Sequence, residues 1–327
     1  MENKVALLTG VTGQDGAYLA AYLLGLGYQV YGIQRRCSST SLARLHHLGI
    51  AEHSKLVMVD GDITDLGSLM RILEDAKPDE VYNLAAQSFV GVSWHQPLYT
   101  AQATGLGALN VFEAVRAKCP EARVYQASSS EMFGYSTEGM QDEQTLFNPR
   151  SPYAVAKVFA HHMAVNYRCS FDMHINCGIL FNHESPLRGL EFVTRKITHG
   201  VAQIVNKKTD RLVLGNVDAK RDWGHARDYV RAMHTMLQYQ GSPDDYVIAT
   251  GHAISVYEFC RLAFECVGLD VKKWLVSDPA LARPADVPYL CGNADKAWKT
   301  FAWRPTITVA QLIEEMVWAD IGAQRKQ

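Results

Sequence analysis

No apolar run in this chain approaches the roughly 20 residues that a helix needs to cross a bilayer, so a membrane-spanning role is not expected. Charge of one sign is also missing. The 32 Lys and Arg against 34 Asp and Glu leave a net charge of -2, which gives no electrostatic reason for nucleic acid or an anionic membrane as partner. The seven cysteines form no C-x-x-C pair. An odd number without that spacing reads as reduced thiols in a cytoplasmic protein, not as a disulfide or zinc framework. Internal repeats, low-complexity tracts and flexible linkers are absent. Val5, Ala6, Leu7 and Leu8 read as a strand almost at the start, which leaves no room for a signal peptide.

What is present is 327 residues, 48% of them hydrophobic, enough to bury a large core in two closely joined lobes. Strand-like stretches at 5–8, 30–33, 56–59, 80–85, 123–127 and 173–180 alternate with helical ones at 18–26, 66–75, 105–118 and around Tyr153. This alternation predicts an α/β fold, a doubly wound parallel sheet of the Rossmann type, with ligands at the carboxyl ends of the strands. The second half is less regular. It reads as helices at 192–205, 230–239, 256–267 and 309–320, with strands at 211–214 and 247–250. We expect a smaller C-terminal substrate lobe interleaved with the first. Residues 1–178 plus 222–252 form the cofactor domain in this reading, and 179–221 plus 253–327 the substrate lobe.

Gly10, Gly13 and Gly16 follow the first strand and open the first helix. Glycines there permit a tight turn and let backbone approach a pyrophosphate at the helix N-terminus, although G-x-x-G-x-x-G differs from the G-x-G-x-x-G fingerprint. The second strand ends in Gln34, Arg35 and Arg36, without the acid that usually meets a free ribose hydroxyl. Two guanidiniums suited to a phosphate favour NADP over NAD. Asp62 and Ile63, after the third strand, are placed to meet the adenine. Leu84, Ala85, Ala86, Gln87 and Ser88 end the fourth, where small residues let backbone approach the nicotinamide ribose.

The most informative constellation is Tyr153 with Lys157, close after the run SSSE at 128–131. Four-residue spacing puts both side chains on one helix face. A nearby ammonium favours the phenolate, so the tyrosine can take a proton from a sugar hydroxyl. Glu131 adds a carboxylate that can remove a carbon-acid proton and help expel water.

With these residues in view, the chain resembles an extended short-chain dehydrogenase. Its run TGVTGQDG at 9–16, with Gln14 and Asp15, is similar to that of GDP-mannose 4,6-dehydratases. The resemblance continues through YNLAAQS at 82–88, LFNHESP at 180–186, FVTRK at 192–196 and LGNVDAKRDWGH at 214–225. It implies catalytic roles for Ser129 (where the family has threonine), Glu131, Tyr153 and Lys157. It implies NADP contacts at Gly10, Thr12, Gly13, Gln14, Asp15, Gly16, Arg35, Arg36, Asp62, Ile63, 84–88, Tyr99, Lys157, His183 and Arg188. Ser88, Asn182, Val193, Lys196, Arg221, Arg283 and Asp286 match positions near a GDP-sugar, with Asp286 standing where Glu is usual. A homodimer or homotetramer is implied, with loop 35–44 near a neighbouring subunit.

Other features read as structural. The pairs His46–His47 and His161–His162 lack the i, i+4 spacing of helical metal sites, so no metal is expected. His174 and His199 read as ordinary residues, Cys260 and Cys266 as core, and Trp298, Trp303 and Trp318 as packing residues. Three rivals stay open at this point. One is another sugar-nucleotide enzyme: a UDP-glucuronate decarboxylase, a 4-epimerase or a 4-keto reductase. The second is a dehydratase of another GDP-hexose or a GDP-heptose, and the third a regulatory NADP sensor on an inactive fold.

Overall fold

The computed structural model describes residues 4–36, 38, 42–135, 139–281 and 285–325. Its strands in chain order are β1 (Val5–Thr9), β2 (Gln29–Gln34), β3 (Leu56–Asp60), β4 (Glu80–Asn83), β5 (Arg123–Ser129), β6 (Ile175–Leu180), β7 (Asn182–Glu184), β8 (Leu212–Leu214), β9 (Lys220–His225), β10 (Asp245–Ile248), β11 (Ala253–Ser255), β12 (Leu275–Ser277) and β13 (Tyr289–Leu290). Seven of them form one parallel sheet in the order β10-β6-β5-β4-β1-β2-β3. The order reverses between β1 and β4, and a crevice at such a reversal is where ligands bind in open α/β sheets. Both faces are covered. Helices Gln14–Gly25 and Ala226–Gln238 carry one apolar layer, with Leu19, Leu23, Val230 and Met233 buried. Helices Leu66–Ala76, Gly107–Lys118 and Pro152–Phe171 carry the other, with Leu69, Phe112, Val115 and Ala160 buried. Burying one such Leu or Phe contributes about 1.5–3 kcal/mol, so the sheet is pinned from both sides.

Two local signals explain helix Pro152–Phe171, which carries the expected dyad. Ser151 caps it by accepting from the Ala154 amide at 3.1 Å, and Pro152 takes a first-turn position where no amide bond is lost. Asp172, left-handed at φ 54, ends it.

A second sheet joins β11, β9 and β13, with β7 added on β9, and β8 pairs with β12. Helices Val193–Val205, Val256–Glu265 and Val309–Arg325 build the core of this lobe around Ile197, Phe259, Phe264 and Leu312. Arg195 bonds Asp320 through Nε at 3.0 Å, tying the first of these helices to the last. The expected division at 221/222 falls inside β9, where Asp222 links three loop amides. Its carboxylate accepts from the Thr250 and Gly251 amides at 2.9 Å and from Gly292 at 3.3 Å.

Several expectations need correction at their edges. The strand expected over 80–85 stops at Asn83, because the Leu84 and Ala85 amides turn to Thr9 Oγ1 at 3.0 and 2.9 Å. The helix expected from 105 continues a π-helical turn at Ala101–Leu106, set where Gly105 lies against Ala156 and Phe159. Only Trp303 of the three tryptophans is buried, donating to the Asp228 carbonyl at 3.0 Å. Trp298 and Trp318 are exposed, and Arg304 covers the Trp298 ring 3.8 Å from its centre. Among the described residues no helix is long and apolar enough to cross a membrane.

Candidate active site

The carboxyl ends of β1, β4, β5 and β6 open into a cavity of about 480 Å³ that reaches into the second lobe. Its floor is the glycine turn. Gly10 has φ +70, and a Cβ there would sit 3.0 Å from the Ala85 nitrogen. A Cβ on Gly16 would lie 2.3 Å from the Gly10 carbonyl oxygen and 2.6 Å from the Val11 Cα, both unyielding backbone atoms. Helix Gln14–Gly25 begins at Gly13 with no side-chain cap, so its first-turn amides face outward as a ready anion cradle. These features fit a dinucleotide.

Gln14 and Asp15 brace this turn against the second lobe. Gln14 donates to the His183 carbonyl at 3.1 Å and accepts from Ser185 Oγ at 2.7 Å. His183 Nε2 faces Asp15 Oδ2 at 2.7 Å, and its Nδ1 faces the Phe181 carbonyl at 2.7 Å. Both partners are acceptors, so both ring nitrogens carry protons and the ring is an imidazolium. It stacks on Tyr229 with centres 4.4 Å apart. Burial alone would raise the Asp15 carboxyl, but the charge and hydrogen bond of His183 outweigh it and hold the group at about 2. Burial pulls the other way on His183, and Asp15 overcomes it, leaving that pKa raised.

The expected catalytic group converges on one wall. Tyr153 lies beside the Ser129 hydroxyl within hydrogen-bonding reach. The Ser129 Oγ also accepts from the Glu131 amide at 3.2 Å. Lys157 is buried, donates to the Ala127 carbonyl at 2.7 Å, and sits 5.8 Å from the Tyr153 ring centre. Burial pushes the Tyr153 phenol up to about 12; the Ser129 bond opposes this and the nearby Glu131 charge adds to it. Burial also pulls Lys157 down to about 8. The lowered phenol pKa expected beside an ammonium and an oxidised nicotinamide ring is therefore not a property of the protein alone, where desolvation dominates.

Ser88, Asn182, Val193, Lys196, Arg221 and Asp286 all reach the cavity wall. Asn182 Oδ1 is buried without a hydrogen-bond partner, an acceptor aimed at whatever fills the space. Helix Val193–Val205 starts at Phe192 without a side-chain cap, so a second set of open amides faces the cavity. Arg221 NH2 lies 3.4 Å from Asp286, whose other oxygen accepts from Asn216 at 2.8 Å. Arg283 lies outside the described residues.

Other expected contacts sit elsewhere. Arg35 donates to the Tyr99 hydroxyl at 2.6 Å, and Arg36 lies 3.7 Å from Asp60, both beyond the cavity wall. Asp62 is occupied locally, accepting from the Thr64 amide and hydroxyl at 2.9 and 2.8 Å. Ile63 is buried in the core against Gly107. Gln87 is held by Thr104 and Phe89. The Thr12 carbonyl accepts from Arg44 at 3.1 Å.

Sequence reading passed over Glu184, Thr194 and Phe192. Glu184 is buried, accepts from Thr194 Oγ1 at 2.7 Å and lies 3.0 Å from Arg188 Nε. Burial raises its pKa against the pull of Arg188. Arg188 covers the Phe192 ring at 3.5 Å. The available signal was an acid within LFNHESP next to an arginine four residues on.

A glycine turn opening a helix, a Tyr-Lys-Ser constellation and a second open helix start define the site of an α/β enzyme built for a dinucleotide and an anionic substrate. A family model described as GDP-mannose 4,6 dehydratase matches residues 7–316, and the chain belongs to that family. It is 47% identical to the GDP-mannose 4,6-dehydratase of Sinorhizobium fredii (strain HH103), over 99% of this chain and 98% of that protein. Its fold matches a dTDP-glucose 4,6-dehydratase from Bacillus anthracis in complex with NAD, with a TM-score of 0.86, 22% identity and 98% coverage of each chain. It also matches RMD from Pseudomonas aeruginosa complexed with NADPH, with a TM-score of 0.79, 22% identity, and 98% and 99% coverage.

Proposed function

We propose that this protein converts GDP-D-mannose to GDP-4-dehydro-6-deoxy-D-mannose and water, with NADP retained throughout. One observation carries the reading beyond a simple dehydrogenase: Glu131 shares a wall with Tyr153 and Ser129. When bound, the nicotinamide supplies the hydride acceptor for sugar C4 and the donor for C6. Every proton movement falls to the protein. Tyr153 takes the C4 hydroxyl proton. The C4 ketone acidifies C5, and Glu131 takes the C5 proton. Ser129 or Glu131 protonates the C6 hydroxyl as it leaves as water, and a proton returns to C5. The net change is loss of one water. Lys157, fixed on the Ala127 carbonyl, holds a positive charge beside the phenol. The remaining work is alignment and exclusion of solvent.

Arg35 and Arg36 support NADP over NAD, because nothing acidic at the end of β2 offers a ribose hydroxyl an acceptor. The open amides at Val193 and the cation of Arg221 suit a diphosphate. The two-lobe division, cytoplasmic location and homo-oligomeric state belong to the same proposal. Exposed apolar side chains on adjacent helices, Leu98, Leu106, Val155 and Phe159, support a partner copy. The test is mass spectrometry of GDP-mannose mixed with the purified protein and no added reductant. Loss of one water is expected. An unchanged mass, or a change of another kind, refutes the reading.

A further inference from the structure

Tyr153, Lys157 and His161 recur every four residues along one helix, and all three are buried. Each meets one of three consecutive residues of β5. Tyr153 meets Ser129, Lys157 meets the Ala127 carbonyl, and His161 Nδ1 meets Ser128 Oγ at 2.9 Å. Only the first two belong to the chemistry described above.

Behind His161 stands a further set of groups. Its Nε2 lies 3.5 Å from Asp245 Oδ2, at the start of β10. Asp245 Oδ1 accepts from Arg168 at 2.6 Å, and Arg168 also donates to the Ile175 carbonyl at 2.8 Å. Cys177 of β6 completes the cluster, with its ligand atom and those of His161 and Asp245 within 4.8 Å of one another. Three such groups invite a metal reading. Arg168 argues against it, since its guanidinium already supplies the cation, 3.7 Å from the Cys177 sulfur. Burial keeps the Cys177 thiol well above its ordinary range, so it is no ready thiolate ligand.

The groups facing the ring are Ser128, Cys177 and Asp245 from the strands, His162 and Arg168 from its own helix, and Phe147, edge-on 5.1 Å away. Burial, with His162 and Arg168, pulls the His161 pKa down to about 4 against Asp245. The ring is thus neutral, with one donor and one acceptor nitrogen. A carboxylate on the Nε2 side favours the proton there. Nδ1 then accepts from the Ser128 hydroxyl, and the direction of the bond is fixed.

We propose that His161 is a positioning residue for the dehydration, oriented by Asp245 and Arg168, and that it holds Ser128 so that the end of β5 presents Ser129 to Tyr153. Asp245 reads the edge strand and Arg168 reads β6, so the bond ties three neighbouring strands to the catalytic helix. A shift of the neighbouring Ser129 by a fraction of an ångström would misalign the Tyr153 proton path, to which rate is far more sensitive than binding.

The inference rests on the dehydratase reading, so water loss from GDP-mannose by the unmodified holoenzyme is measured first. Its absence sinks that reading. With activity established, His161→Phe, His161→Asn and Ser128→Ala are compared, with kcat counted per cofactor-loaded site. His161→Phe keeps the ring volume and removes both bonds. It is expected to lower kcat on the order of tenfold to a hundredfold, with KM for GDP-mannose nearly unchanged and the rising limb of the pH profile displaced. His161→Asn keeps an acceptor near Nδ1 and should recover most of the rate. Ser128→Ala should match His161→Phe, and the double variant should be no worse than either. A Phe variant with normal kcat and pH profile and only a lower Tm overturns the proposal. Failure of Asn to rescue also overturns it, as do additive losses in the double variant. If His161→Phe does not fold, the Asn and Ala variants decide by the same criteria.

Discussion

The ion pair of Asp15 and His183 joins the glycine turn to the second lobe, and replacing His183 by Gln isolates its contribution. Against the opposing effect of burial, His183, helped by Gln14 and Arg188, lowers the Asp15 carboxyl from 3.8 to about 2. At about 1.4 kcal/mol per unit, this corresponds to roughly 2 kcal/mol of folding stability. The depressed carboxyl contributes above its ordinary 3.8 and loses its contribution as pH falls through about 2. The raised imidazolium contributes below its ordinary 6.5 and loses its contribution as pH rises through the elevated folded value. Both conditions hold between about 4 and 6.5. The assay is urea unfolding of the unmodified and His183→Gln proteins without ligand. The difference is expected to be largest, about 2 kcal/mol or somewhat more, near pH 6, because the variant leaves Asp15 without its charge partner. It should shrink as pH rises through the elevated folded value of His183, where the imidazole of the unmodified protein loses its proton. A difference that stays constant over this range refutes the assignment, as does a His183 ring that titrates below 6.5 in NMR.

Changing Arg35 and Arg36 together to Ala should remove most of a preference for NADP over NAD, read by calorimetry; equal affinities in the unmodified protein sink the idea. Tyr153→Phe should bind GDP-mannose almost normally and lose turnover by about 10²-fold or more, since the proton acceptor is gone. A near-normal turnover points to another base. Glu131→Gln should still oxidise C4 but stall before water loss, with a rate penalty of about 10²–10⁴-fold. A stopped-flow trace should then show reduced-nicotinamide absorbance accumulating. Normal 6-deoxy product, or no rise in a variant shown to bind both ligands, contradicts the role of Glu131.

The parallel sheet was legible because strands such as β1 and β6 are short, largely apolar runs buried on both faces. The shared placement of Tyr153 and Lys157 was legible because four-residue spacing puts both side chains on one helix face. β7 and β9 were not legible. Their residues, Asn182, His183 and Glu184, then Lys220, Arg221 and Asp222, carry the polarity of a loop. They become strands because tertiary partners hold several of these polar groups: Asp15 for His183, Thr194 for Glu184, and the amides of 250, 251 and 292 for Asp222. No local pattern encodes those partners, which lie up to 169 residues away for the His183 carbonyl.

The same contrast separates what the motif residues do. A GQDG run suggests four groups turned toward a ligand, yet Gln14 spends its amide on His183 and Ser185. Asp15 spends its charge on the His183 ring. These two side chains line the cavity and tie the glycine turn to His183 and Ser185. A carboxylate next to an anion cradle would repel a pyrophosphate if left bare. His183 neutralises it at 2.7 Å, so the pair carries no net charge toward the cradle. Replacing Asp15 and His183 together should therefore perturb cofactor affinity less than replacing His183 alone, which leaves the acid exposed to the phosphates.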